Sequence, residues 1–392
     1  MNMAEAYIVD AVRTAGGRRG GKLRDWHPAD MGGQVLNALV DRSGIDPEAI
    51  EDVIMGCVGM AGEQSFHIGR NCVLASKLPE SVPAVSIDRQ CGSSQQSLHF
   101  AAQAVMSGTM DVVIAAGVES MTRVPMGTPT RLPMEHGLGS PKSPKMEERY
   151  PGINFSQFMG AEMLAKKYGF SREELDAFAL ESHKRAVKAT ESGKFDNEIV
   201  PLEIDLGDGK QMHTNDEGIR YDATAESIGS VKLLQEGGSI TAANASQICD
   251  GSSGALIVSE EALKEHNLTP LARIHNLTIT GGDPVIMLEE PIGATQRALK
   301  KTGMKIEDID FYEVNEAFAP VPMSWMKMIG GDHERLNVNG GAIALGHPLG
   351  ASGTKLMATL LNVLKNNGGR YGLQTMCEGG GLANVTIVEA LH

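Results

Sequence analysis

The chain has 392 residues, more than one hydrophobic core usually serves, so two or three packed units are expected. Its formal net charge of −14 argues against nucleic acid or an anionic membrane as a partner held by bulk charge. An anionic small ligand would need a local basic patch or helix N-termini.

In chain order, the first clear element is Glu51-Asp52-Val53-Ile54-Met55-Gly56-Cys57, which predicts a short strand after a helix. A second apolar stretch ends near Ile87 and gives way, at Cys91, to a helix. The apolar face of that helix is Leu98, Ala101, Ala102, Val105 and Met106, at the spacing of a buried helical stripe. A cysteine at a helix start meets free backbone N–H groups and the positive dipole end, which favour the reactive thiolate. Asp111 to Gly117 predicts the next strand. From Val124 to Gly152, six prolines, many glycines and mixed charge predict an excursion with little regular structure. Phe158 to Lys167, and Ser171 to about Ser192, predict helices, with Ser171 and Glu174 at capping-box spacing. Gly207-Asp208-Gly209 predicts a tight turn.

A weak internal repeat organises these elements. Glu51–Cys57 is matched by Ile309–Asn315. Cys91-Gly92-Ser93-Ser94 and its helix are matched by Gly350-Ala351-Ser352-Gly353, followed by Leu356, Met357, Leu360, Leu361 and Leu364. Asp111–Gly117 is matched by Tyr371–Cys377. Alternating strands and helices predict an α/β fold with mainly parallel pairing in each half, two halves forming a layered αβαβα sandwich. The expected domains are residues 1–120, completed by about 246–270 with Cys249 to Val258 as a strand; an inserted loop domain, 121–245; and a second half, 271–392.

The five cysteines are Cys57, Cys72, Cys91, Cys249 and Cys377, with no Cys-x-x-Cys. A reducing compartment, the cytoplasm, is therefore expected, with no disulfide framework and no metal site. The N-terminus shows no signal pattern, the last tripeptide is not peroxisomal, and no apolar run reaches membrane-spanning length.

Four glycine-flanked segments carry reactive side chains: Cys91; Asn315 in Val314-Asn315-Glu316-Ala317-Phe318; His347 in Leu345-Gly346-His347-Pro348; and Cys377 in Cys377-Glu378-Gly379-Gly380-Gly381. Strand ends on one side of an α/β sheet are where ligands bind, so the repeat could bring all four to one site. Each has a plainer reading alone. Cys91 could be a small buried hydrophobe, His347 a helix-capping residue, Asn315 a turn residue. His99 reads as packed, and Cys57, Cys72 and Cys249 as structural.

Together, the Asn-Glu-Ala-Phe, Gly-His-Pro and Cys-x-Gly-Gly-Gly motifs, with Ala11-Val12-Arg13-Thr14, resemble the thiolase family over essentially the whole chain. The resemblance implies acyl transfer to and from coenzyme A, as co-substrate, with no prosthetic group. It implies that Cys91 is the nucleophile, that His347 takes its proton, and that Cys377 is the acid and base for the carbanion. It further implies one oxyanion hole from His347 and a water held by Asn315, and a second from the backbone N–H groups of Cys91 and Gly379. By the same resemblance Arg220 and Ser227 contact the nucleotide end of CoA, Ala243 and Ser246 line the pantetheine tunnel, and Met159 and Met287 adjoin the substrate. A homodimer or homotetramer is expected.

The resemblance loosens at the substrate. Gln95-Gln96 after the nucleophile resembles the degradative and steroid-side-chain branch. Phe158 stands where short-chain members often have histidine, whereas Met287 matches a short-chain methionine. The favoured expectation is degradative thiolysis of 3-ketoacyl-CoA, followed by a short-chain acetoacetyl-CoA thiolase. From other classes, a ketoacyl synthase would have histidine where Asn315 stands, and a non-catalytic acyl-CoA or lipid-binding relative would tolerate loss of Cys91, His347 or Cys377.

Overall fold

The computed structural model describes residues 4–207 and 209–391. The middle residue of the expected turn, Asp208, and the outermost residues of both termini lie outside the described residues.

Two sets of strands correspond in order. In the first half the order is Ala84–Ile87, Asp52–Gly56, Val112–Ser120, Cys249–Ser259 and Ala6–Thr14. In the second it is Phe311–Val314, Tyr371–Glu378, Leu382–Ala390 and Ala272–Gly281. The halves meet where Tyr7 faces Arg273 and Ile8 faces Ala272. The repeat read from the sequence is thus a repeat of topology, and Cys249–Ser259 pairs between Val112–Ser120 and Ala6–Thr14.

The expectation of mainly parallel pairing is corrected. Parallel pairs join the first three strands of the first half, Phe311–Val314 with Tyr371–Glu378, and Ala6–Thr14 with the short strand Ile199–Val200. The other pairs of the large sheet are antiparallel. The cause is visible at Gly379-Gly380-Gly381. A connection that short can only return the chain antiparallel. Gly380 and Gly381 take φ of +87° and +77°, which other residues adopt at a cost.

Two helices, Ser93–Ser107 and Ser352–Asn367, lie against each other in the middle layer. Their approach is close: a Cβ added at Gly353 would stand 2.0 Å from the Gln95 backbone nitrogen. Leu98, Ala101 and Val105 share a core with Met357, Leu360 and Leu364. Each fully buried leucine there contributes roughly 2 kcal/mol. One outer layer is Pro28–Ser43, burying Val35, Leu36 and Leu39. The other is formed by Glu290–Thr302 and Pro320–Ile329 around Trp325. The five layers are those expected. The Cys91 helix, however, is buried well beyond one stripe. Ser93 to His99 are all buried, because neighbours cover every side of its first two turns.

The segment 124–152 departs from expectation. Thr128–Glu135 and Pro144–Arg149 are short helices. Pro129 and Pro144 sit in their first turns, where the fixed φ of proline suits a helix start. Gln157–Tyr168 and Arg172–Glu191 are helices as expected, the second with the Ser171–Glu174 capping box. Leu164, Leu175 and Ala179 of this inserted region share the core of Phe318 and Trp325 in the second half. Arg13, fully buried, ties the region to the first strand through Glu198 at 2.6 Å and Asp216 at 2.8 Å. Removing one partner of so buried a pair typically costs about 3–5 kcal/mol.

Candidate active site

Cys91 lies between the strand Ala84–Ile87 and its helix, on a turn made possible by Gln90 at φ +49°. The turn closes with the Gly92 N–H donating to Arg89 O at 3.1 Å. A side chain at position 92 would displace the Glu378 carboxyl, since a Cβ there would stand 2.0 Å from it.

His347 follows Gly346, whose φ of +80° and contact with Cys249 exclude a side chain. Its backbone N–H donates to Gln247 O at 3.0 Å. Ser352 Oγ–H donates to Pro348 O at 3.1 Å, so Oγ accepts from His347 Nδ1–H at 2.5 Å. That fixes the proton on Nδ1 and leaves the Nε2 lone pair toward Asn315, whose Nδ2 is 3.5 Å away. The Lys355 ammonium donates to Leu345 O and Gly346 O at 2.7 and 2.8 Å, holding the loop before His347.

Asn315 is anchored by its N–H to Thr375 O at 3.1 Å. Its Oδ1 is buried without a hydrogen-bond partner, as a site for a bound water would be. Cys377 ends the strand Tyr371–Glu378, fully buried and near enough to Cys91 for their charges to interact.

Electrostatics define the resting state. Burial pushes the Cys91 thiol up to about 12, and an ionised Glu378 would add to this. Burial pushes the His347 imidazole down to about 3, with Lys355 adding. Burial also holds Cys377 well above an ordinary thiol. The site therefore rests as two thiols and a neutral imidazole. The expectation that the helix start makes Cys91 a thiolate is corrected, because desolvation outweighs the helix end.

Two chambers meet at this centre. One, of about 690 Å³, is lined by Cys91, Gly379, Phe155, Phe158 and Met287, among others. The other, of about 480 Å³, is lined by His347, Ser246, Arg220, Arg18 and Arg19. Met121, Met126, Gln157, Phe158 and Leu349 belong to both. Of the residues singled out from the sequence, Cys91, Gly379 and Met287 thus line the first chamber, and His347, Arg220 and Ser246 the second. Ala243 is buried beside the second without lining it. Ser227 is exposed, with its hydroxyl capping Thr224. Met159 faces an outer groove with Glu162 and Ile240, one helical step past Phe158. Gln95 and Gln96 point into the middle layer, Gln95 donating to Thr386 Oγ1 at 2.8 Å, and do not line the chambers. His99 is packed, bonded to Thr386 Oγ1 at 2.8 Å.

Sequence reading missed several residues. Glu119 accepts from the backbone of Val58, Gly59 and Gly350 at 2.8–2.9 Å, joining the two halves beside Cys91. Glu316 accepts from Ser182, Asn337 and the Ile343 N–H, fixing the Asn315 loop. Ser352 orients His347. Arg18 and Arg19 stand with Arg220 in the second chamber, and the signal was present as a glycine-flanked basic pair in an acidic chain.

Comparisons with known proteins identify the family and the fold. Residues 6–261 match the model for "Thiolase, N-terminal domain" and residues 268–390 that for "Thiolase, C-terminal domain". The "Steroid 3-ketoacyl-CoA thiolase FadA6" of Mycobacterium tuberculosis is 51% identical over 391 residues, 99% of this chain and 95% of that protein. A "3-ketoacyl-CoA thiolase" of Marinobacter nauticus is 40% identical over the full length of both chains. The crystal structure of a Bacillus anthracis acetyl-CoA acetyltransferase superposes with a TM-score of 0.90 at 35% identity, covering 99% of each chain. That of human mitochondrial 3-ketoacyl-CoA thiolase gives 0.89 at 35%, again covering 99% of each.

Proposed function

We propose that this chain, which belongs to the thiolase family, cleaves 3-ketoacyl-CoA with CoA to give acetyl-CoA and a shortened acyl-CoA. The observation that carries this is the junction of the two chambers. A nucleophile lies in one and its base in the other, with a second thiol buried beside the nucleophile.

The steps follow from the geometry. Cys91 Sγ attacks the 3-keto carbon, and its proton passes to His347 Nε2. The bond between C2 and C3 breaks, and its electron pair leaves as the acetyl-CoA enolate. Cys377 gives that carbanion its proton. In the second half, the CoA thiol loses its proton to Cys377 and its sulfur takes the acyl group from Cys91. His347 returns the proton to Cys91. An acyl-enzyme splits one hard step into two. Asn315 with a water, and the backbone at Cys91 and Gly379, would hold the two oxyanions, each well-placed donor being worth about 3 kcal/mol. Arg18, Arg19 and Arg220 offer positive charge to the phosphates of CoA in a chain of net charge −14.

The size of the first chamber, about 690 Å³ and lined by methionine and phenylalanine, supports an acyl group larger than acetyl. A thiolysis assay across 3-ketoacyl-CoAs of increasing length, with a bulky steroid-like member, tests this. Activity confined to acetoacetyl-CoA would select the short-chain reading instead. No thiolysis with any of them would leave the non-catalytic binding reading.

The reading extends to assembly and location. The edge strand Ala84–Ile87 carries Val85, 39% exposed, and Phe66 nearby is 90% exposed. Apolar side chains along an open edge support pairing with a second copy, as a homodimer or homotetramer. Five free cysteines support the cytoplasm. Among the described residues no helix is long and apolar enough to cross a membrane.

A further inference from the structure

Glu378 stands next to Cys377 in the sequence but does not share its surroundings. Strand alternation turns Cys377 toward the core of the second half and Glu378 toward the middle layer. There it is fully buried, and neither carboxyl oxygen has a hydrogen-bond partner. The carboxyl rests against Gly92, which precedes the first turn of the Cys91 helix. It lines neither chamber, so it reaches Cys91 from behind and does not touch substrate.

We propose that Glu378 is a positioning residue for the nucleophile: its carboxyl stays protonated behind Cys91, and only this neutral form lets Cys91 give up its proton readily. The reason is competition. A thiolate at Cys91 and a carboxylate at Glu378 would draw on the same helix start, and would repel each other in a buried setting. With Glu378 neutral, the thiolate has that helix start to itself. Glu378 exchanges no proton in the reaction. The Cys91 proton still goes to His347.

The groups facing Glu378 fit this role. Arg89, before the helix, pulls toward the ionised form, but no ion pair joins the two. Its own Nε is buried without a partner. Cys91 and Cys377 are thiols that would oppose a negative neighbour. On the neighbouring strand, Asn384 donates to Gly92 O at 3.1 Å, and Thr386 is bonded to Gln95 and His99. Neither residue titrates, and burial keeps His99 neutral. Asp88, beside Arg89, hydrogen-bonds to Gln90. Burial accordingly pushes the Glu378 carboxyl up to about 8.

The proposal rests on Cys91 being the nucleophile of the proposed reaction, yet its test needs no turnover. Alkylation of Cys91 by iodoacetamide is followed by peptide mass mapping on the full chain, from about pH 6 to about pH 10. The wild-type profile is expected to show two coupled ionisations, because Glu378 ionises first and delays the thiolate. In Glu378→Gln the lower step disappears. That variant matches wild type near pH 6 and reacts roughly tenfold faster above about pH 9. Superimposable profiles overturn the proposal. Should Glu378→Gln not fold, the absence of the lower step, near pH 8, from the wild-type profile overturns it as well. The lower step must also persist in Cys377→Ala, and its loss there would assign it to Cys377. Failure of thiolysis in the substrate series leaves these profiles unchanged, so the two readings fail separately.

Discussion

Ser352 Oγ accepts the Nδ1 proton of His347 at 2.5 Å while donating its own to Pro348 O. The hydroxyl therefore acts on the ring nitrogen opposite the one that faces Asn315. It selects the tautomer in which Nε2 is a base, and burial keeps that base neutral at physiological pH. Ser352→Ala is expected to leave CoA binding intact and to lower kcat on the order of ten- to a hundredfold, since a misassigned tautomer loses much of what a general base contributes. A steady-state comparison checks it. A fall in KM-dependent terms alone, with kcat unchanged, would remove Ser352 from the mechanism.

Cys91 and Cys377 are both buried thiols, but the mechanism assigns them different failures. Cys91→Ser is expected to lose acyl transfer by roughly a thousandfold or more while the fold survives, because hydroxyl is the weaker nucleophile at this pKa. Cys377→Ala should still form the S-acyl intermediate at Cys91, visible as a mass increase, yet fail to exchange the α-protons of acetyl-CoA. Undiminished exchange in that variant would contradict its role as acid and base.

Arg220 shares its chamber with Arg18 and Arg19, and none of the three lines the chamber that holds Cys91. Arg220→Ala should raise KM for CoA several-fold with little change in kcat, and the effect should shrink with added salt, as exposed charges are screened. Replacing Arg19 as well should deepen it. A short pantetheine substrate, which lacks the phosphates, provides the control: with it, the variants and wild type should converge.

Much of this was legible in the sequence for reasons that can be named. The strands around Val53 and Val112 and the helix after Cys91 show through their apolar periods, and the second half repeats them. The reactive residues show through the glycines that let backbone approach substrate. What stayed hidden depends on the fold. Gln95 and Gln96 read as specificity signals, but a second helix buries them in the middle layer. Met159 and Phe158 are neighbours in sequence, yet Phe158 reaches both the chambers and the outer groove, while Met159 lines only the groove. Ser352 is one small residue among several, and only the loop carrying His347 gives it a partner. Pairing direction stayed hidden because the glycines at 379–381 serve both substrate approach and a hairpin, and only the hairpin sets the direction of the next strand.

Glu378 also leaves a signature in stability. Its carboxyl ionises near an ordinary value, 4.5, when unfolded, but is raised to about 8 when folded, chiefly by burial. Below the unfolded value both states hold the proton and Glu378 costs nothing. As pH rises through 4.5 the unfolded chain releases its proton while the folded chain keeps it, so stability falls. The fall continues to about 8 and then levels, because above that both states are ionised. Glu378→Gln removes this slope. The variant should equal wild type in strong acid and exceed it by a few kcal/mol, on an order-of-magnitude basis, near pH 8 to 9. Denaturant melts of both proteins at several pH values measure the difference directly. A pH-independent difference would mean that the carboxyl does not change its ionisation on folding.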